Sequence, residues 1–146
     1  MADIARTEQV DFGLANILPR PGAAPPDLAP DTLWPVAPGQ WLAFADSAAP
    51  DWAEALGERL AGVATVIDQS SAYVVWQITG RDAQRLLQKG LPLDLAVLPP
   101  GGVAVSAIAH IGVIVQCLSP DSYRLATFRS FAHSLRDWLD TSVAAL

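Results

Sequence analysis

The side chains able to do chemistry are few and stand far apart in the sequence. His110 falls at a predicted hairpin and His133 in the first turn of the last predicted helix, and neither has a Cys or His at metal-ligand spacing. Both read as surface or capping histidines. The single cysteine, Cys117, sits inside an apolar run, which makes it a buried core thiol more readily than a nucleophile. Asp68 with Ser70 and Ser71 has the residue types of a nucleophile and its carboxylate. No histidine lies near them to act as base, and turn chemistry accounts for the trio. Asp94 stands in a loop, where an acidic residue caps or turns. Gly101-Gly102 lacks the Lys-Ser/Thr and the helix start of a phosphate-cradling loop. Arg124 and Arg129 could hold a carboxylate or phosphate, but an isolated arginine is more often solvated or at an interface. No catalytic, cofactor-binding or metal-ligating constellation assembles from these residues.

The elements that would position them are clearest over 64–95. A short apolar run over 64–67 ends at Asp68. Residues 73–79 then alternate, with Val74, Trp76 and Ile78 on one face and Tyr73, Val75 and Gln77 on the other, the period of a strand. Thr79 with Asp82 three positions on resembles a capping box. Ala83, Leu86 and Leu87 form one helical stripe. Lys89 suits the helix dipole, Gly90 offers a left-handed C-terminal residue, and Pro92 prevents resumption.

Elsewhere, residues 1–8 read as a frayed tail and 10–18 as a strand or extended arm. Seven prolines from Pro19 to Pro38 exclude regular helix and pairing in a central strand. The stretch is a linker or an arm laid over a surface. Trp34 and Trp41 flank it and could pack it down or sit in an interface, where Trp is a common hot spot. A strand follows at 41–45. Asp51 and Glu54 form a second capping pair, before a helix with Trp52, Leu56 and Leu60 on one stripe. Later strands are expected at 103–109, 113–118 and 123–128, with turns at His110-Ile111-Gly112 and at 119–122. A last helix is expected with Ser130 as N-cap and Phe131, Leu135, Trp138 and Leu139 as its stripe. The fold class is α+β: an antiparallel or mixed sheet with helices packed on one side, and β-α-β-like units that hint at a ferredoxin-like pattern. The expected organisation is a tail and proline-rich arm over 1–40 and one α+β domain over 41–146.

Composition narrows the function further. Net charge is −6, and the nine Lys and Arg are scattered, which argues against nucleic acid. The hydrophobic fraction is high at 51% and the charged fraction low at 16%, consistent either with surface meant for a partner or with an Ala- and Pro-rich bias. The N-terminus lacks the apolar core of a signal peptide, and no apolar run approaches the roughly 18 residues of a membrane span. A cytoplasmic location is expected.

Four segments carry a family resemblance: LWPVAPGQWLAF (33–44), VIDQSSAYVVWQITGRDAQRLLQKGLPLDL (66–95), PPGGVAVSAIAHIGVIVQCL (99–118) and YRLATFRSFAHSLRDWL (123–139). Their order and wording resemble the gamma subunit of heterotetrameric sarcosine oxidase; the K-G-x-P-L-D-L and R-S-F-A combinations are the more specific parts. Leu91 departs from the pattern, since members often carry Cys there. The resemblance implies a fold like the folate-binding domain of aminomethyltransferases. It implies alpha, beta and delta subunits as partners, in a complex that demethylates sarcosine to glycine with tetrahydrofolate as one-carbon acceptor. FAD, FMN, NAD, tetrahydrofolate and zinc would sit in those other subunits, and this chain would be non-catalytic. Trp34, Trp41 and Arg129 are the candidate partner-interface residues, and the isolated chain could form a homodimer. The alternative is a stand-alone folate-binding, aminomethyltransferase-like one-carbon module, with Asp68 or Asp94 facing the pterin. At 146 residues the chain is short for the multi-domain body of such enzymes.

Overall fold

The alternating runs become strands and the striped runs become helices in the structure, a computed structural model described over residues 2–146. In chain order the elements are β1 (Ala5–Glu8), β2 (Gly13–Pro19), β3 (Thr32–Ala37), β4 (Gln40–Ala45), α1 (Trp52–Arg59), β5 (Ala64–Asp68), β6 (Tyr73–Thr79), α2 (Ala83–Gln88), β7 (Val103–Ile108), β8 (Ile111–Ser119), β9 (Ser122–Phe128) and α3 (Ala132–Ala144). Every strand pair is antiparallel, so the α+β class holds with its sheets antiparallel, in keeping with a ferredoxin-like arrangement.

The chain divides into two units, and the division does not fall at residue 40. One unit joins the N-terminal segment through Gln9 to Tyr73–Leu146, and the other is Val10–Ala72. The first forty residues are not an arm, because they contribute β1, β2 and β3 to the sheets.

The discontinuous unit has a five-stranded sheet in the order β1-β6-β9-β8-β7. Trp76 and Ile78 on β6, Val113, Val115 and Cys117 on β8, and Tyr123 and Leu125 on β9 share a face. They pack with Ala83, Leu86 and Leu87 of α2 and with Leu135 and Leu139 of α3. Alternation in the strands and i, i+3, i+4 spacing in the helices thus meet in one core. The expected frayed tail is instead an edge strand: Arg6 pairs with Ile78 and Glu8 with Trp76. Its anchor lies ahead of the strand. Asp3 accepts from Arg81 N (3.1 Å) and Arg81 Nε (3.0 Å), while Asp82 accepts from Asp3 N (2.7 Å).

That clasp also corrects the first cap. Asp82 is itself the N-cap of α2 and makes no side-chain capping bond, because its carboxylate is spent on Asp3. Gly80 lies against it with φ +120°, and a β-carbon there would collide with the Asp3 carbonyl. Gly90 is not left-handed as expected; a side chain at that position would run into Trp138 and Ile108, so it is an approach point between elements. The turn expected at His110-Ile111-Gly112 sits one residue earlier: Ala109 and His110, both with positive φ (48° and 68°), join β7 to β8. Ser130 does not cap α3. A 3-10 turn over Arg129–Phe131 precedes the helix, and Phe131 is exposed instead of striping the core.

The continuous unit has a four-stranded sheet, β3-β4-β2-β5. Leu56 and Leu60 of α1 pack on Ile17, Leu28 and Ala43. Asp51 makes no capping bond to α1. Pro35 lies in β3, an edge strand, where a missing N–H is tolerated. The proline-rich stretch is tied to α1 by Trp52 Nε1 donating to Asp31 (2.8 Å) and by Arg59 donating to the carbonyls of Asp27 (3.0 Å) and Ala29 (3.3 Å).

Candidate functional site

Each polar side chain singled out from the sequence proves to hold a piece of structure. Asp68 accepts from Ser70 N (2.9 Å) and Ser70 Oγ (2.7 Å), and the same hydroxyl oxygen accepts from Leu14 N (3.0 Å). That is a turn fastened to β2, with the hydroxyl proton already committed. Asp94 accepts from Ala96 N (3.0 Å) and caps a 3-10 turn over Leu95–Val97. His110 is an exposed turn residue, and His133 lies 3.3 Å from Asp137 one helical turn on. The Cys117 thiol is buried and points at the Ser119 carbonyl (3.4 Å). Burial raises its pKa above the ordinary thiol value, and a hydrogen bond from Tyr123 offsets part of the rise. Burial likewise raises the Tyr123 phenol, whose oxygen accepts from Gln84 (2.8 Å). Arg124 is buried and donates to Gln116 (3.0 Å).

Among the described residues, no three His, Cys, Asp or Glu come together in a metal-holding group. A hollow of about 420 Å³ over Leu18, Arg20, Gly62 and Thr65 brings in a single ionisable side chain. One of about 160 Å³ is lined by Asp31 and Arg59, both already engaged in holding the proline-rich stretch.

The three candidate interface residues separate. Trp34 is corrected to a core residue: it is 0% exposed and its ring stacks on Phe44 at 4.7 Å, so it has no surface to offer a partner. Of the two places expected for it, packing the proline-rich stretch down or sitting in an interface, it takes the first, since pairing of Trp34 with Leu42 in the sheet turns the ring inward. Trp41 is half-buried over the α1 core. Arg129 is exposed and donates to the Tyr73 carbonyl (3.2 Å).

Around Arg129 the sequence reading missed an aromatic patch. Tyr73 and Phe128 face each other across β6 and β9 with rings 4.9 Å apart, Phe128 is 51% exposed, and Phe131 is 42% exposed. Strand parity could have found Phe128, since Tyr123 and Leu125 take the core face and leave position 128 on the other. The patch combines aromatic area with a guanidinium, the composition enriched at protein interfaces.

No family model matches the chain, and no curated protein matches it. The fold does recur among solved structures, in a chain of an oxidase assembly. That structure is heterotetrameric sarcosine oxidase from Corynebacterium sp. U-96 in complex with pyrrole 2-carboxylate. The match has a TM-score of 0.84 at 19% identity and covers 97% of this chain and 84% of that one. At this identity the likeness establishes a shared fold.

Proposed function

We propose that this chain is the gamma subunit of a heterotetrameric sarcosine oxidase, a non-catalytic assembly subunit. In this reading its alpha, beta and delta partners carry FAD, FMN, NAD, tetrahydrofolate and zinc and demethylate sarcosine to glycine. The observation that carries the reading is the near end-to-end match, 97% of the chain, to a chain of a solved heterotetrameric sarcosine oxidase. The chemistry-bearing side chains agree with it, because Asp68, Ser70, Asp94 and Cys117 are each committed to turns or to the core. Arg129, with Phe128 and Phe131 beside it in the chain, is the surface assigned to a larger subunit. Trp41 is a second point of contact. No helix is long and apolar enough to cross a membrane. In this reading the complex works in the cytoplasm.

The test is a tagged pull-down from the native host grown on sarcosine. The expected eluate is yellow, contains a large subunit and makes peroxide when given sarcosine. A colourless eluate of this chain alone, or isolated chain that turns over sarcosine or binds a reduced folate at micromolar concentration in calorimetry, would refute the assignment. Replacing Arg129 by Glu together with Phe131 by Ser should reduce recovery of the large subunit by tenfold or more, a loss of about 1.4 kcal/mol or more.

A further inference from the structure

The two sheets leave four edges, and three are guarded. β1 is short and carries Arg6 and Glu8. β3 carries Pro35. β5 ends on Asp68, and one of its N–H groups, that of Ala64, is taken by the Leu60 carbonyl (3.0 Å). These are the ordinary devices by which proteins blunt a sheet edge. The fourth edge, β7, reads Val-Ala-Val-Ser-Ala-Ile, with no charge, proline or glycine.

The surrounding sequence is equally bare. Residues 95–120 contain no Asp, Glu, Lys or Arg, in a chain that has nine basic and fifteen acidic residues. Depletion of charge marks the centres of interfaces.

The ladder shows which groups are open. The two-residue turn at Ala109-His110 makes Ile108 and Ile111 a hydrogen-bonded pair, and antiparallel alternation extends this to Ser106 with Val113 and Ala104 with Val115. The bond from Cys117 N to the Gly102 carbonyl (2.9 Å) continues the same phase. Val103, Val105 and Ala107 therefore turn their N–H and C=O groups away from β8, and no hydrogen bond among the described residues takes them. Val105 is also 55% exposed.

We propose that β7 is a self-association edge, pairing antiparallel with β7 of a second copy across a two-fold axis through Val105. Val105 then lies opposite the partner's Val105, Val103 opposite the partner's Ala107, and Ala104 opposite the partner's Ser106. All three outward-facing residues fall in hydrogen-bonded positions, giving about six inter-chain bonds. The two five-stranded sheets become one continuous sheet. A second copy fits for two reasons. A two-fold interface must be self-complementary, and this register sets small or β-branched residues against each other with no like charges. Each copy also carries a net charge of −6, so two copies approach most easily where charge is absent.

The experiment is sedimentation velocity of the isolated chain from about 5 to 500 μM, a range chosen for a contact at the small, weak end of interface size, combined with amide exchange. The mass is expected to rise from 15.5 kDa to twice that value, with the amides of Val103, Val105 and Ala107 slowing at least tenfold as it does. Val105→Lys, at an exposed side chain, should hold the chain monomeric throughout. Ala107→Pro, which deletes an outward N–H unused by the β7–β8 ladder, gives the same reading should Val105→Lys not fold. Three outcomes overturn the proposal: a wild-type monomer with fast amides at every concentration, a dimer indifferent to both variants, or protection of these amides only when a different protein is added. The readout concerns the isolated chain, so it stands or falls separately from the oxidase assignment.

Discussion

Trp34 shows how far a single residue's environment can depart from its neighbours in sequence. Its ring is fully buried and stacked on Phe44, yet its indole N–H finds no hydrogen-bond partner among the described residues. Trp34→Ala should cost about 3–5 kcal/mol, the usual range for emptying a large aromatic site. Trp34→Phe keeps the stack and removes the unpartnered donor, so its cost should stay below about 1.5 kcal/mol. Urea midpoints at constant m-value check this; equal losses for the two variants would mean that the stack and the orphaned N–H are both irrelevant. At the opposite extreme of exposure, the Asp3 carboxyl is held below its ordinary value of 3.8, chiefly by the backbone N–H of Arg81 and then by its side chain. A depressed folded-state pKa gives stability that is present above the unfolded value and lost as pH falls through the folded one. The stability difference between wild type and Asp3→Asn should therefore be steady near pH 6 and shrink as pH falls below the ordinary value of 3.8. A difference that stays unchanged there would mean the carboxylate does not make the clasp. Strand faces such as Val74, Trp76 and Ile78 were readable in the sequence because alternation is a local property. The choice between packing and interface for Trp34 was not, because its pairing with Leu42 is decided by the sheet.

Apart from β1 and β3, expected as a tail and an arm, helix and strand existence followed from periodicity, whereas the ends of elements did not. Three expected caps, at Thr79, Asp51 and Ser130, make no capping bond, and at Asp82 the reason is visible: a backbone N–H from 79 residues away takes the carboxylate. A cap motif is a local pattern competing with tertiary donors the sequence does not place. The Ala109-His110 turn carries a similar conflict, since both residues adopt positive φ without being the Asn-Gly that such two-residue hairpins favour. Replacing the pair by Asn-Gly should raise stability by about 1 kcal/mol by removing the cost of left-handed backbone in β-carbon-bearing residues. A lower urea midpoint for this variant would show that Ala109 or His110 makes a contact worth more than the strain. The candidate site followed the same rule. Arg129 was visible as an isolated cation, but the Tyr73–Phe128 pair required the β6–β9 register, and Phe131 was expected in the core stripe of the last helix.

At the scale of the molecule, the order of strand and helix patterns correctly indicated an α+β chain, and its length a sizeable apolar core, but connectivity lay outside the reach of both. Nothing local says that Glu8 pairs with Trp76, or that Val10–Ala72 forms a unit of its own between the two strands. Long-range pairing is fixed by the joint burial of many faces, not by any one stretch. It also leaves β1 dependent on side-chain ties, the Asp3 clasp ahead of it and the Arg6–Asp140 and Glu8–Arg136 pairs along it. Gly80→Ala would place a β-carbon against the Asp3 carbonyl at a backbone angle that L-residues resist, and should release the strand at a cost of about 1–3 kcal/mol. Exchange at the amides of Ala5 and Thr7, the positions bonded to β6, should speed up well before global unfolding. If those amides stay as protected as in wild type, the clasp does not govern the edge.

The interrupted unit has a consequence for biosynthesis. The ribosome releases β1 long before β6 exists, and at about 5–20 residues per second the intervening segment keeps it waiting for several seconds. During that interval Val10–Ala72 already has every strand of its own sheet, while the first strand made is still without a neighbour. The order of emergence is thus the reverse of the order of closure: the stretch in the middle matures first, and the chain's beginning is locked in place only after residues from its second half have appeared.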